Sequence, residues 1–409
     1  MNILFLSISS IPHLSNHSIS LDLIRELKNQ GHNVYVLGSN QRREGKDTTL
    51  SEEEGCRVLR VKTGNVTKSN IIEKGIATLL LPYQYISAIK KHFNNVKFDL
   101  VLYPTPPVTQ VSTVVFLKKR DNALTYLLLK DIFPQNAVDI GMMRKSGLKG
   151  VIYKTFLKKE KKLYKISDYI GCMSQANVDF IINNNPEVDK EKVHICPNTI
   201  EVTEEFVTQE RKLEIREKYG IPKDTKVFIY GGNLGRPQDI PFVIECLKAN
   251  QDKSDRYFVI CGTGTDYPKL KAYVDEYKPG NVLLINGLPK SEYEEFVKAF
   301  DIGLIFLDKR FTIPNFPSRL LSYMNSKMPV LACTDKNTDI GKVITDGGFG
   351  WWCESNSTEK FTSAVDFALG EDIAAMGEKG YKYLCENYTS KNSYDIIMSN
   401  IQKKEEITV

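Results

Sequence analysis

The chain has 409 residues, of which 42% are hydrophobic and 26% charged, with a formal net charge of +5. That length exceeds one ordinary core, and the balance is that of a soluble globular protein with two or three domains. No apolar run approaches the roughly 18 residues that span a bilayer, the Met1-Asn-Ile-Leu-Phe-Leu start lacks the basic flank of a signal peptide, and a cytosolic protein is expected.

In chain order, an apolar strand over 3–8 is followed by a polar loop over 9–18, an amphipathic helix over 19–29 closed by Gly31, and a strand over 34–37. This βαβ opening makes a parallel sheet the default. Further strands are predicted over 57–61, 100–103, 124–129, 169–173 and 193–195, with helices over about 71–94, 108–120, 147–165 and 175–184. A polar stretch over 197–223 with its own short helix reads as a linker. A second alternation then starts at 226–230 and continues through strands over 257–261, 282–285, 303–306 and 330–333. From Thr358 the chain is helical, with breaks at Gly370 and Gly380. Two doubly wound domains with a cleft between them are the simplest architecture.

Eight cysteines at 56, 172, 196, 246, 261, 333, 353 and 385 form no CxxC or Cys/His spacing, so they read as reduced core residues and not as metal ligands. Charge is uneven: residues 1–200 hold 28 Lys and Arg against 18 Asp and Glu, and residues 201–409 hold 27 against 32. The excess concentrates in 144–165, with nine basic residues, one acidic residue and apolar residues at helical spacing. This basic amphipathic stretch, aided by 74–93, suits the anionic cytoplasmic leaflet; the plainer reading is a solvated lysine face. Without a recognisable module, no nucleic-acid partner is expected.

Three strand ends of the second half carry loops suited to phosphate: Tyr230-Gly-Gly-Asn-Leu-Gly-Arg236, Cys261-Gly-Thr-Gly-Thr265 and Pro317-Ser-Arg319. Glycines let a backbone approach a ligand, and ligands of open α/β sheets bind beyond the carboxyl ends of strands. Ser318 is placed as N-cap of a helix over 319–326, whose start, with Arg319, would hold a diphosphate. Tight βα turns use the same glycines for steric reasons alone, and the helix start also reads as scaffold.

Together with Gly31-His-Asn-Val-Tyr-Val, Cys196-Pro-Asn-Thr, Leu288-Pro-Lys-Ser-Glu, Ala299-Phe-Asp-Ile-Gly and Pro317-Ser-Arg-Leu-Leu-Ser-Tyr-Met, these loops resemble the retaining GT-B glycosyltransferases of family 4 over 1–388. Asp131-Ile-Phe-Pro-Gln-Asn-Ala-Val resembles the bacterial surface-polysaccharide members, some of which move N-acetylfucosamine and related amino sugars. The resemblance implies an α/β GT-B fold, two doubly wound Rossmann-like domains facing a central cleft. An acceptor-binding domain would cover 1–200 and a nucleotide-sugar-binding domain 201–384, with C-terminal helices at about 385–405 packing back on the first.

It also implies a UDP-sugar donor and a polyprenyl-diphosphate-linked saccharide acceptor in capsule or O-antigen biosynthesis, at the inner face of the cell membrane, with no cofactor and no metal. Asp131, Arg236 and Arg319 become the candidate catalytic residues, although Asp131 also reads as a turn residue. The donor would meet Gly232, Asn233, Gly262, Gly264, Leu288, Asn315, Phe316, Pro317, Ser318 and Ser322. His13, Asn16 and His17 would touch the acceptor, or are plain surface residues. Retaining transfer is then expected by front-face departure and attack, because no flanking carboxylate pair is evident. The family commonly has two glutamates eight positions apart, where this chain has Pro314 and Ser322. That departure keeps a second reading open, a non-catalytic GT-B-like subunit or binding protein.

Overall fold

The computed structural model describes residues 1–66, 71–106 and 108–407. The chain forms two compact units, Met1–Glu201 with Thr389–Val409, and Val202–Tyr388.

Unit 1 runs β1 (Asn2–Leu6), α1 (Ile19–Asn29), β2 (Asn33–Gln41), β3 (Thr49–Glu53), β4 (Cys56–Thr63) and α2 (Ile71–His92). It continues through β5 (Leu100–Thr105), α3 (Val111–Asp121), β6 (Leu124–Leu129), α4 (Gln135–Asp139), α5 (Gly147–Ile166), β7 (Tyr169–Cys172), α6 (Gln175–Asn184) and β8 (Val193–Ile195). The strands order as β3-β4-β2-β1-β5-β6-β7-β8, parallel except for β3. Ile3, Leu4, Phe5 and Leu6 are all buried because helices cover both faces, which is why β1 reads as an unbroken apolar run. From β1 the chain winds to β2 on one side and later crosses to β5 on the other, so β1 and β5 flank the topological switch point.

Unit 2 repeats the plan with α7 (Gln209–Lys218), β9 (Lys226–Asn233), α8 (Ile240–Lys248), β10 (Arg256–Thr263), α9 (Tyr267–Tyr277), β11 (Val282–Ile285) and α10 (Lys290–Val297). Then come β12 (Ile302–Phe306), α11 (Arg319–Asn325), β13 (Val330–Thr334), α12 (Ile340–Asp346), β14 (Gly350–Glu354), α13 (Thr358–Leu369) and α14 (Ile373–Asn387). Its parallel sheet orders as β11-β10-β9-β12-β13-β14, with the switch point between β9 and β12. The last helix, α15 (Ser390–Ile407), belongs to unit 1, where Ile397, Met398 and Ile401 join Leu23, Ile24 and Leu27 of α1 in the core.

Several expectations are corrected. The glycine loops are partly strand: β9 runs to Asn233 and β10 to Thr263, in register at Gly232 with Gly262 and Asn233 with Thr263. Gly380 lies inside α14, not at a break, with its Cα against Phe349. Ser318 holds the N-cap position of α11 as expected, but with helical φ and ψ and no side-chain cap bond. The edge strands β3 and β14 and the short α4 were not anticipated, and the helix expected from 108 starts as a 3-10 turn over Val108–Gln110.

Candidate functional site

At the switch point of unit 2 lies a cavity of about 570 Å³. The ends of β9 and β10 form one wall, Phe306 at the end of β12 and Leu307 after it a second, and Pro317, Ser318, Arg319 and Ser322 of the α11 entry a third. The loop into α10 adds Gly287, Leu288, Lys290 and Tyr293.

Two glycines make this shape possible. A Cβ on Gly262 would lie 1.9 Å from the carbonyl oxygen of Gly232, so the two strands can approach here only without a side chain. Gly232 has φ of +127°, which L-residues avoid, and a Cβ there would meet the Arg319 guanidinium at 2.4 Å. Arg319 is thereby seated against bare backbone.

The same guanidinium stacks on Tyr230, with Cζ 4.1 Å from the ring centroid, and the Tyr230 hydroxyl donates to the Asn233 carbonyl at 2.6 Å. Tyr323 of α11 fastens the helix to both switch-point strands. Its hydroxyl oxygen lies 3.0 Å from the Ile229 carbonyl and 3.1 Å from that of Leu304, and accepts from the Gly231 amide at 3.3 Å. Burial holds the phenols of Tyr230, Tyr293 and Tyr323 above their ordinary value, so they stay neutral around the arginine. Among the described residues Arg319 forms no ion pair with a carboxylate, and no carboxylate lines the cavity. A cation ringed by neutral tyrosines, in a cavity also lined by Lys290, which pairs with Glu294 at 3.3 Å, is an arrangement that attracts an anion.

Of the donor residues expected from sequence, Gly232, Gly262, Leu288, Pro317, Ser318 and Ser322 line the cavity, as does Arg319. Asn233, Arg236, Gly264, Asn315 and Phe316 do not. Asn233 acts one layer back, its amide donating to Gln238 Oε1 at 2.9 Å, and Gln238 lines the cavity in its place. Arg236 is exposed, at the head of a 3-10 turn. Sequence reasoning missed Gln238, Thr263, Lys290 and Tyr293; the position of Lys290 two residues beyond Leu288, where the loop leaving β11 enters α10, was the available signal.

Residues 211–383 match the family model "Glycosyl transferases group 1", which places a domain of that group inside unit 2. The "Probable glycosyltransferase WbjE" of Pseudomonas aeruginosa is 22% identical over 329 residues, covering 79% of this chain and 78% of that protein. Among solved structures, Anabaena Alr3699/HepE in complex with UDP and glucose aligns at a TM-score of 0.70 and 13% identity, over 98% of this chain and 100% of that one. WaaG, a glycosyltransferase involved in lipopolysaccharide biosynthesis, aligns at 0.64 and 14%, over 97% and 99%. Both units are Rossmann-like, and these neighbours share them.

The fold is GT-B.

The first unit of this GT-B chain presents a different chemistry. Asp131, just past β6, accepts from Asn136 Nδ2 at 2.6 Å through Oδ2, while its buried Oδ1 has no hydrogen-bond partner among the described residues. Burial pushes its carboxyl up to about 6. Glu160 of α5 is also buried, accepts from the Tyr164 hydroxyl at 2.8 Å, and is pushed up to about 7, chiefly by burial. Lys130 is drawn toward the Cys196 and Pro197 carbonyls at 3.4 and 3.3 Å, and burial lowers its pKa.

His13, Asn16 and His17 are exposed and line neither of two cavities beside β1, of about 220 and 40 Å³. His13 Nδ1 lies 2.8 Å from the Ser15 hydroxyl, and Asn16 donates to the His13 carbonyl at 3.0 Å. His17, Asp22 and Glu201 bring ligand atoms within 4.8 Å of one another. The Arg25 guanidinium already sits among them, 2.6 Å from Asp22 and 2.8 Å from Glu201.

Proposed function

We propose that the protein is a glycosyltransferase that takes a UDP-sugar in the unit 2 cavity and moves the sugar to a lipid-linked saccharide. The observation that carries this reading is Arg319, without an acidic partner among the described residues, stacked on Tyr230 against the bare Cα of Gly232 inside a domain matching a transferase family. Breaking a sugar–phosphate bond leaves charge on the diphosphate, and preorganised cations are the main means of stabilising it. Arg319 and Lys290 take that task here, and the proposal calls for no metal. Asp131 and Arg236 stay as further proposed catalytic residues.

The transfer is proposed to be retaining, with the leaving phosphate as base. A sugar of the N-acetyl-L-fucosamine or related amino or deoxy kind and a role in capsule or O-antigen assembly complete the reading. A neutral Ser322 lines the cavity where relatives commonly keep a carboxylate, and this favours one alternative, a non-catalytic GT-B subunit.

The proposal also seats the chain at the cytoplasmic membrane surface. Helix α2 exposes Ile76, Leu79, Leu80 and Tyr83, at the i, i+3, i+4, i+7 spacing of a single helix face. Helix α5 adds exposed Val151 and Ile152 next to exposed Lys154, Lys158, Lys162 and Lys165, whereas its Leu163 and Tyr164 turn into the core. No helix among the described residues is long and apolar enough to cross a membrane.

The deciding experiment measures UDP release by the purified chain over a panel of UDP-sugars, with and without a polyprenyl-diphosphate sugar. Release that needs both supports the transferase. UDP binding without turnover on any donor, or no UDP binding at all, supports the non-catalytic alternative and sinks the transferase.

A further inference from the structure

Arginines drawn into the body of either unit are typically held by acids. Arg25, Arg60, Arg216 and Arg256 each keep a carboxylate oxygen within 2.8 Å, on Asp22, Glu53, Asp301 and Asp255. Arg319 is held by a ring instead, its Cζ lying 4.1 Å from the centroid of Tyr230. We propose that Tyr230 is a positioning residue for the transfer: its ring face holds the Arg319 guanidinium where the leaving diphosphate meets it, without cancelling the charge. This role rests on the transferase reading and adds to it a residue that acts through Arg319.

The choice of partner decides what the cation can do. A carboxylate at ion-pair distance offsets most of the charge that an incoming anion would feel, and the anion has to displace it. An aromatic face attracts a guanidinium through its quadrupole and leaves the unit charge in place. Acid partners therefore suit the structural arginines, and a ring suits one that has to meet a ligand.

The ring is itself a fixed platform. Tyr230 is 2% exposed, packs in the core of unit 2 with Phe306 at 6.1 Å between centroids, and ties its hydroxyl to the Asn233 carbonyl at 2.6 Å. Two residues further along β9, Gly232 gives the guanidinium room that any side chain would take. From the other side, Tyr323 stands one turn beyond Arg319 on α11 and faces the same way. A Cβ on Gly303 would lie 2.4 Å from the Tyr323 ring, and the Tyr323 hydroxyl reaches the Ile229 and Leu304 carbonyls. The helix start that carries Arg319 is thus fastened to the strand that carries Tyr230. A long side chain ordered in advance has less entropy to lose when the diphosphate arrives.

The test uses the full chain with Tyr230→Phe and with mono-, di- and trifluorinated phenylalanine at position 230, in the parent and in Arg319→Ala. Fluorine drains the ring face of charge and barely changes its shape, so the core around position 230 stays filled. UDP-releasing turnover should fall stepwise along the series, by roughly 5- to 30-fold from phenylalanine to the trifluorinated ring, with nearly level unfolding temperatures. In Arg319→Ala the series should be flat. Tyr230→Phe should keep most of the parent rate, and Tyr230→Leu, which has no ring face, should lose as much as the trifluorinated chain. The proposal is overturned if the series is flat in the parent, if it falls equally in Arg319→Ala, or if Tyr230→Phe loses as much as Tyr230→Leu. Each of these outcomes leaves the transferase reading intact; a parent that releases no UDP on any donor sinks that reading and this role together.

Discussion

The two units build the same sheet plan and open a cavity at the same place in it, the switch point, yet they line it with opposite chemistry. Unit 2 strips side chains from β9 and β10 and sets Arg319 and Lys290 around the space. Unit 1 opens about 220 Å³ between β1 and β5, lined among the described residues by no charged side chain, with the buried Gln110 amide idle. Topology therefore decides where a ligand goes and side chains decide which ligand, so fold likeness alone assigns neither.

Arg319→Ala should produce the largest effect. We predict a loss of about 100- to 1,000-fold in UDP-releasing turnover with little change in thermal unfolding, since no carboxylate among the described residues loses a partner. Turnover kinetics beside a melting curve check this, and an unchanged rate would remove the basis for calling unit 2 the anionic-ligand half. Gly262→Ala puts a methyl group against the Gly232 carbonyl and should cost about 1–3 kcal/mol of stability, read by denaturant unfolding. A neutral result would mean that the strands can yield and that the glycine walls are not needed for shape.

Unit 1 carries the pH dependence. Asp131 and Glu160 have folded-state values of about 6 and about 7, above their ordinary 3.8 and 4.5, so between roughly pH 4 and 7 the folded chain binds protons that the unfolded chain has released. Stability should therefore fall as pH rises through that window, by about 3 kcal/mol at most for each group, and Asp131→Asn or Glu160→Gln should flatten the slope. A stability that rises over the same window would contradict the burial described for both carboxyls. The smallest effect on the fold is expected from Ile76→Ser with Leu79→Ser on α2, within about 0.5 kcal/mol. The same pair should lose much of its binding to vesicles containing anionic lipid in co-sedimentation, and unchanged binding would reduce the α2 stripe to ordinary surface.

Much of this comparison was legible beforehand. The central strands announce themselves as apolar runs because both sheet faces are covered, and 124–129, 193–195 and 282–285 match their strands residue for residue. Edge strands do not: Thr49-Leu-Ser-Glu-Glu pairs on one side only and is mostly polar, so β3 carries no apolar signal. Glycines at 232 and 262 marked the unit 2 cavity, since close backbone approach leaves a residue-type trace. Tyr293 and Gln238 were invisible because a single side chain on a helix or a 3-10 turn has no pattern until the chain brings its partners to it. Ser318 misled for the converse reason. It takes the cap position its residue type suits, but its backbone is already helical and its side chain makes no cap bond.

Because α15 completes the core of unit 1, that unit is interrupted in sequence by the whole of unit 2. During synthesis unit 2 can close on itself once Tyr388 has emerged, whereas α1 keeps Leu23, Ile24 and Leu27 bare until Ile397, Met398 and Ile401 arrive. The usual order of biogenesis, amino-terminal domain first, is thus reversed at the final step, and a nascent chain halted before residue 389 would carry a finished unit 2 and an unfinished unit 1 prone to capture by chaperones.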